Sequence, residues 1–400
     1  MSLMLDGVTV IDFTNNIAGP VCSAMLSDHG AEVIHIEKPV WGDDSRNYFP
    51  TYMGTSCTFS YANRNKKSLV LDLHDPRGVE VVKEMIRRAD IFLESNRPGV
   101  LEKYGLAYEQ VRDLNPRLIY CSVSAFGQKG PYRQKAGYDV IAQAFSGMMY
   151  YTGEPENGPT KNHYCVGDYV ASYNAFGSIM TALYHRERTG RGQFVDVSLA
   201  RGLALMNGCL YGELVGFKPY KTGNKDSHLS PYGVYQGSHG DGIVIAAVNV
   251  NLWERLCSAI GRPELAKDPR FITNDKRCEN QEEVTEIIES WLQSFDRIDD
   301  AVQILDEYGV ANHKAFTVYD ILKDPHARSQ GWIKDLPLLH SQADQTAPAM
   351  IGSADFSEGE YVLRRAPEFG EHTEELLRRY GMSSEEAAAC AEKWKGKKDR

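Results

Sequence analysis

Short apolar runs alternate with amphipathic stretches along the first 200 residues. Val8–Phe13, Glu32–Glu37, Leu69–Leu73, Ile91–Leu93 and Leu118–Val123 read as buried strands. Helical patterns lie between them, as at Gly78–Ala89. Asn15–Gly19 reads as a turn, Pro20 suits the first position of a helix, and that helix should stop near Gly30. A long helix is predicted over Asp168–Arg188, broken by Gly190-Arg191-Gly192. A strand at Gln193–Val197 and a helix at Ala200–Gly216 follow. Strands alternating with helices imply parallel pairing, hence an α/β fold with a doubly wound sheet.

The pattern then changes. Lys218–Ser230 is polar and turn-rich. Tyr232–Gln236 and Ile243–Ala247 flank Gly237–Gly242 as an antiparallel hairpin, and helices are expected near Leu252–Ile260, Gln281–Ser294 and Ile298–Glu307. These predict a smaller α+β unit over residues 220–325. The segment after Asp324-Pro325 reads as loop-rich, ending in a helix that carries Leu376, Leu377 and Tyr380.

A length of 400 residues agrees with two units, and 42% hydrophobic with 24% charged residues is a globular balance. The net charge of −10 argues against a general nucleic-acid binder. It does not exclude small anions, because a few local cations override a global sign. None of the eight Cys forms a C-x-x-C pair, which reads as reduced thiols and a cytoplasmic home. No signal peptide and no run of roughly 18 apolar residues is present, so no membrane partner is expected.

The motifs of common cofactor enzymes are missing. The first turn has a single Gly19 and no G-x-G-x-x-G. There is no Walker A loop, no H-E-x-x-H, no Cys/His cluster with zinc spacing and no G-x-S-x-G. What remains is side-chain chemistry on a substrate that brings its own handle, with no metal and no permanently bound cofactor.

Several ordered strings resemble the class III CoA-transferases, the CaiB–BaiF family that includes formyl-CoA transferases. They are Leu5-Asp6-Gly7, Ala18-Gly19-Pro20, Gly30-Ala31-Glu32 running to Lys38-Pro39 and Gly42-Asp43, Asn63–Ser68, Asn96-Arg97-Pro98-Gly99, Asn115–Tyr120, Gly137-Tyr138-Asp139, Gly167-Asp168, Thr189–Gln193 and Gly370–Leu377. The resemblance implies a six-stranded large domain built from both chain ends, residues 1–219 with 326–400 returning to it, and a small domain over 220–325. It also implies an interlocked homodimer.

By pattern alone, Asp168 before a helix of small and apolar residues is a good helix cap. The resemblance makes it the attacking carboxylate, which forms an aspartyl anhydride and then an aspartyl–CoA thioester. It implies CoA contacts at Lys38, Leu71, Asn96, Arg97 and Lys103, while His74 stands where some members have Lys. It implies an acyl pocket bordered by Tyr48, Phe59, Tyr138 and Asp139. CoA and acyl-CoA enter as substrates, with a small carboxylic acid as acceptor. The related α-methylacyl-CoA racemases carry His where Tyr138 stands, and a phenol of ordinary pKa near 10 is a poor α-proton exchanger near neutral pH. Transfer is therefore favoured over its alternatives, racemisation or non-catalytic CoA binding. The strings stand nearer to carnitine, bile-acid and aryl- or hydroxy-acid transferases than to the formyl–oxalate enzymes, and Gly237–Gly242 differs from the latter's four-glycine lid.

Overall fold

A computed structural model describes residues 3–206, 221–339, 346–352 and 354–396. The large sheet has six parallel strands: β1 (Thr9–Phe13), β2 (Glu32–Glu37), β3 (Lys67–Val70), β4 (Ile91–Glu94), β5 (Ile119–Ser124) and β6 (Gln193–Ser198). Their spatial order is β3-β2-β1-β4-β5-β6. This is the doubly wound order, which reverses between β1 and β4 and opens a crevice at their carboxyl ends.

The apolar runs are continuous because both faces of the sheet are covered. Val10, Val33, Ile91 and Ile119 point to one side, where they pack with Ala171, Ala175 and Ile179. Their neighbours Ile11, Ile34, Phe92 and Tyr120 point to the other, where they meet Val81, Val82, Met85 and Ile86. The first layer contains helices α1 (Ala18–Asp28) and α4 (Val166–Thr189), and the second contains α2 (Pro76–Arg88). Helix α2 starts as its sequence dictates, with Asp75 accepting from the N–H of Arg77 and Pro76 in the first turn. A short helix α3 (Asp139–Phe145) precedes α4.

Leu376, Leu377, Ala387 and Trp394 from the C-terminal helices Thr373–Arg379 and Ser384–Lys395 join the second layer. The segment before them lies along the edge strand β3. The Thr373 hydroxyl accepts from the N–H of Val70 at 3.0 Å, and the N–H of His372 donates to Ser68 O at 3.0 Å. These bonds occupy an edge that would otherwise present unpaired backbone.

The chain divides into two compact units, and Met149–Lys161 groups with the second, which ends at Ala327. In the second unit the hairpin Tyr232–Gln236/Gly242–Ala246 gains a third strand, Ala311–Lys314. That strand is polar and half exposed, so it lacks the apolar alternation that betrays a strand in sequence. A two-stranded hairpin, Ile333–Pro337 with Thr346–Met350, occupies the segment that reads as loop-rich. Pro348 sits inside it, a residue that usually argues against a strand and is tolerated at an edge. The helix expected to reach Gly216 is described over Leu199–Met206, and its remainder lies outside the described residues. Among the described residues, no helix is long and apolar enough to cross a membrane.

Candidate active site

Under the carboxyl ends of β1 and β2 lies a buried ionic cluster. Asp12 on β1, His35 on β2 and Lys66 are all fully buried. Lys66 Nζ stands 2.9 Å from Asp12 Oδ2 and also donates to Pro20 O and Asn63 Oδ1. His35 lies between Asp12 (3.1 Å) and Asp43 (3.3 Å). Burial opposes charge on Asp12, but Lys66 and His35 outweigh it and hold the carboxyl well below the usual range. Burial likewise opposes charge on His35, yet the two carboxylates raise it to about 9. The cluster fastens the β1–α1 turn to the Asp43 loop. Thr14 and Ser23 donate to Asp12, and Asp43 accepts from the N–H of Ser45.

Above this anchor lies a cavity of about 250 Å³ at the switch between β1 and β4. Lys38, Leu71, His74 and Asn96 line it, together with Asn15 and Tyr104. Lys38 Nζ already contacts Asp44 Oδ1 at 2.5 Å, and Asn15 binds Asp44 through both its amide groups. His74 reaches Tyr104 Oη at 3.3 Å across the rim. Three of the five expected CoA contacts thus meet here. Arg97 instead lines a neighbouring cavity, and Lys103 is an exposed side chain on the short helix Leu101–Tyr104 that lines neither.

Asp168 stands in the first turn of α4. The helix's N-cap residue, Cys165, supplies no capping side chain. Asp139 Oδ1 accepts from Gly167 N at 2.6 Å and from Asp168 N at 3.3 Å, while Oδ2 accepts from Gln143 Nε2 at 2.6 Å. The helix start is therefore held by a carboxylate from α3, an arrangement that the pattern around Asp168 does not reveal. A Cβ at Gly167 would meet Asp139 Oδ1 at 2.9 Å and Leu203 Cδ1 at 3.0 Å, so this close approach needs glycine. Burial, and then the neighbouring Asp139 charge, push the Asp168 carboxyl up to about 7.

Asp139 lies beside Asp168, and the charges of Asp168 and Tyr138 both act on Tyr48. The Tyr48 hydroxyl donates to Asn16 Oδ1, and its phenol is raised by burial and by the charges of Asp44, Asp43, Tyr138 and Asp168. Tyr138 is 69% exposed and precedes α3. Phe59 is fully buried, and the Arg46 guanidinium lies 3.8 Å from its ring centroid. Gly237–Gly242 is a hairpin turn in the second unit. Sequence reasoning missed Asn15, Asp44 and the Asp12–His35–Lys66 cluster. For Asp12 and His35 the available signal was a charged or polar residue inside a strand run that is otherwise apolar.

The pattern that defines CoA-transferase family III matches residues 5–373. The chain belongs to this family. It is 39% identical over 325 residues to the succinyl-CoA–D-citramalate CoA-transferase of Chloroflexus aurantiacus, covering 80% of this chain and 81% of that one. It is 34% identical over 384 residues to the succinate–glutarate CoA-transferase of Agrobacterium fabrum, covering 93% and 94%. A CAIB/BAIF family protein from Brucella suis superposes with a TM-score of 0.84 at 32% identity, over 95% of this chain and 100% of that one.

Proposed function

We propose that this CoA-transferase moves CoA from an acyl-CoA donor to a carboxylic acid through covalent intermediates on Asp168. The carrying observation is a carboxylate raised to about 7 in the first turn of α4, with Asp139 beside it and its charge acting on Tyr48. An Asp168 oxygen attacks the thioester carbonyl and expels CoA thiolate, giving a mixed anhydride. The thiolate attacks the aspartyl carbonyl, the donor acid leaves, and an aspartyl–CoA thioester forms. The acceptor carboxylate displaces the thiolate to make a second anhydride, and attack of thiolate on the acceptor carbonyl releases the new thioester and Asp168. Each step exchanges one acyl bond for another. Lys38, Leu71, His74 and Asn96 hold the coenzyme in this reading.

The relatives' names centre on succinyl-CoA with short dicarboxylic acids, and one acts on oxalate with acetyl-CoA. The substrate class follows them: succinyl-CoA as donor and a short di- or hydroxydicarboxylate as acceptor, which keeps the hydroxy acids among the carnitine, bile-acid and aryl- or hydroxy-acid classes that the strings favoured. Aromatic side chains left exposed on α3 and α4, Phe145 (55%), Tyr173 (52%) and Tyr184 (66%), suit burial against a second copy in a homodimer. The decisive experiment incubates the protein with succinyl-CoA and a panel of acids. New thioesters, together with a hydroxylamine-trappable adduct on Asp168, support the reading. Full transfer by Asp168→Ala would sink it.

A further inference from the structure

The segment Asn96–Tyr104 is a partition. Asn96, Val100 and Tyr104 face the cavity assigned to CoA, while Arg97, Pro98, Gly99, Leu101 and Glu102 face a second cavity of about 320 Å³, which Glu94 of β4, Tyr120 and Ser122 of β5 and Phe194 of β6 also line. The hinge of this partition is Glu94, the last residue of β4. Its side chain is 4% exposed and reaches the second cavity. Glu94 Oε2 accepts from the Asn96 N–H at 2.7 Å, and Oε1 accepts from the Ser122 hydroxyl on β5. The next residue extends the tie, because the Ser95 hydroxyl accepts from the Asn15 N–H at 3.1 Å. Glu94-Ser95-Asn96 thus joins the partition to the β1–α1 turn that forms the opposite wall of the CoA cavity.

A buried carboxyl is an expensive choice for such a joint. A neutral amide accepts one hydrogen bond at lower desolvation cost, whereas an ionised carboxylate binds an N–H about twice as strongly. We propose that Glu94 is a positioning residue for the coenzyme: its carboxylate, clamped by Ser122, holds the Asn96 N–H and fixes the partition in the form that accepts CoA. This rests on the reading that the β1–β4 cavity binds CoA. Burial raises the Glu94 carboxyl to about 7 against the hydrogen bonds of Ser122 and Asn96, with the charge of Asp196 adding to the rise. Coenzyme affinity therefore weakens as pH falls through 7 and the carboxylate is lost. The other charged side chains around the second cavity are Arg97, Glu102, Glu109 and Lys129. On the CoA side stand Glu37, Lys38, Asp43, Asp72 and His74.

The test measures calorimetric affinity of the full chain for dephospho-CoA, which lacks the titrating phosphomonoester, at pH 6, 7 and 8, in wild type, Glu94→Gln and Ser122→Ala. Comparison with Glu94→Gln at each pH cancels the contribution of every group that the two proteins share. Wild type should bind about three- to tenfold tighter than Glu94→Gln at pH 8, with the ratio approaching one at pH 6. Ser122→Ala removes a bond that favours the ionised form, so its affinity midpoint should move to higher pH. A ratio of one throughout, a ratio independent of pH, or an unmoved midpoint in Ser122→Ala overturns the assignment of Glu94. Absence of any coenzyme binding by the wild type would instead overturn the CoA site itself.

Discussion

Asp168 has two properties that pull against each other. Burial and the Asp139 charge raise its carboxyl to about 7, which makes it a stronger nucleophile once ionised and a scarcer one at neutral pH. The first-turn rate of thioester attack should therefore rise as pH increases from 6 to 8, with a midpoint near 7 in single-turnover kinetics. Asp168→Ala should lower transfer about a thousandfold or more while leaving CoA affinity nearly unchanged. The same raised value has a stability consequence. The folded form of this carboxyl holds its proton to higher pH than the unfolded chain, so the group costs nothing below the unfolded value of 3.8 and its full penalty appears above 7. Asp168→Asn should then raise the melting temperature by about 1–3 °C at pH 8 and leave it unchanged at pH 4. At this scale the sequence was only partly legible. Gly167-Asp168 stood out by family resemblance, but the residue that grips it, Asp139, lies 28 positions away in the chain from Gly167 and shares no local pattern with it.

Elements were easier to read where one period dominates. The strands at Glu32–Glu37 and Ile91–Glu94 are short, apolar and flanked by breakers, and helix Ile298–Glu307 is amphipathic throughout. Strand Ala311–Lys314 has no such period, since neighbouring strands rather than its own side chains decide its pairing. The start of α4 was read to within two residues, but its capping carboxylate was hidden because it comes from α3. Asp139→Asn keeps an acceptor for Gly167 N but removes the charge beside Asp168. It should shift the pH–rate midpoint below 7 with little change in stability. Asp139→Ala should also lose about 1 kcal/mol of helix-end stabilisation, read as a lower denaturant midpoint. The difference between the two variants separates the electrostatic role of Asp139 from its role as a cap.

Each unit of the molecule buries its own apolar core. The second also encloses a guanidinium: Arg277 is fully buried and donates to Ser230 O (2.6 Å), Phe271 O (2.9 Å) and Val248 O (2.6 Å). Arg277→Met would leave three carbonyls without that donor, and should destabilise the second unit by about 3–5 kcal/mol, visible as an earlier unfolding transition in urea. Light scattering should give twice the mass of one chain if the aromatic faces of α3 and α4 meet a second copy. Neither a lone buried Arg nor a dimer face carries a sequence period, which is why composition reached only as far as two units.

The edge strand β3 has a consequence during synthesis. Val70 is bonded by Thr373, which is translated 303 residues later. At about 5–20 residues per second, that interval is roughly 15–60 s. Throughout it, the nascent sheet has an open edge and an apolar face that awaits Leu376, Leu377 and Trp394. The large unit therefore finishes folding after its last segment leaves the ribosome, and a stalled or shortened chain would display a strand edge that invites pairing with another copy.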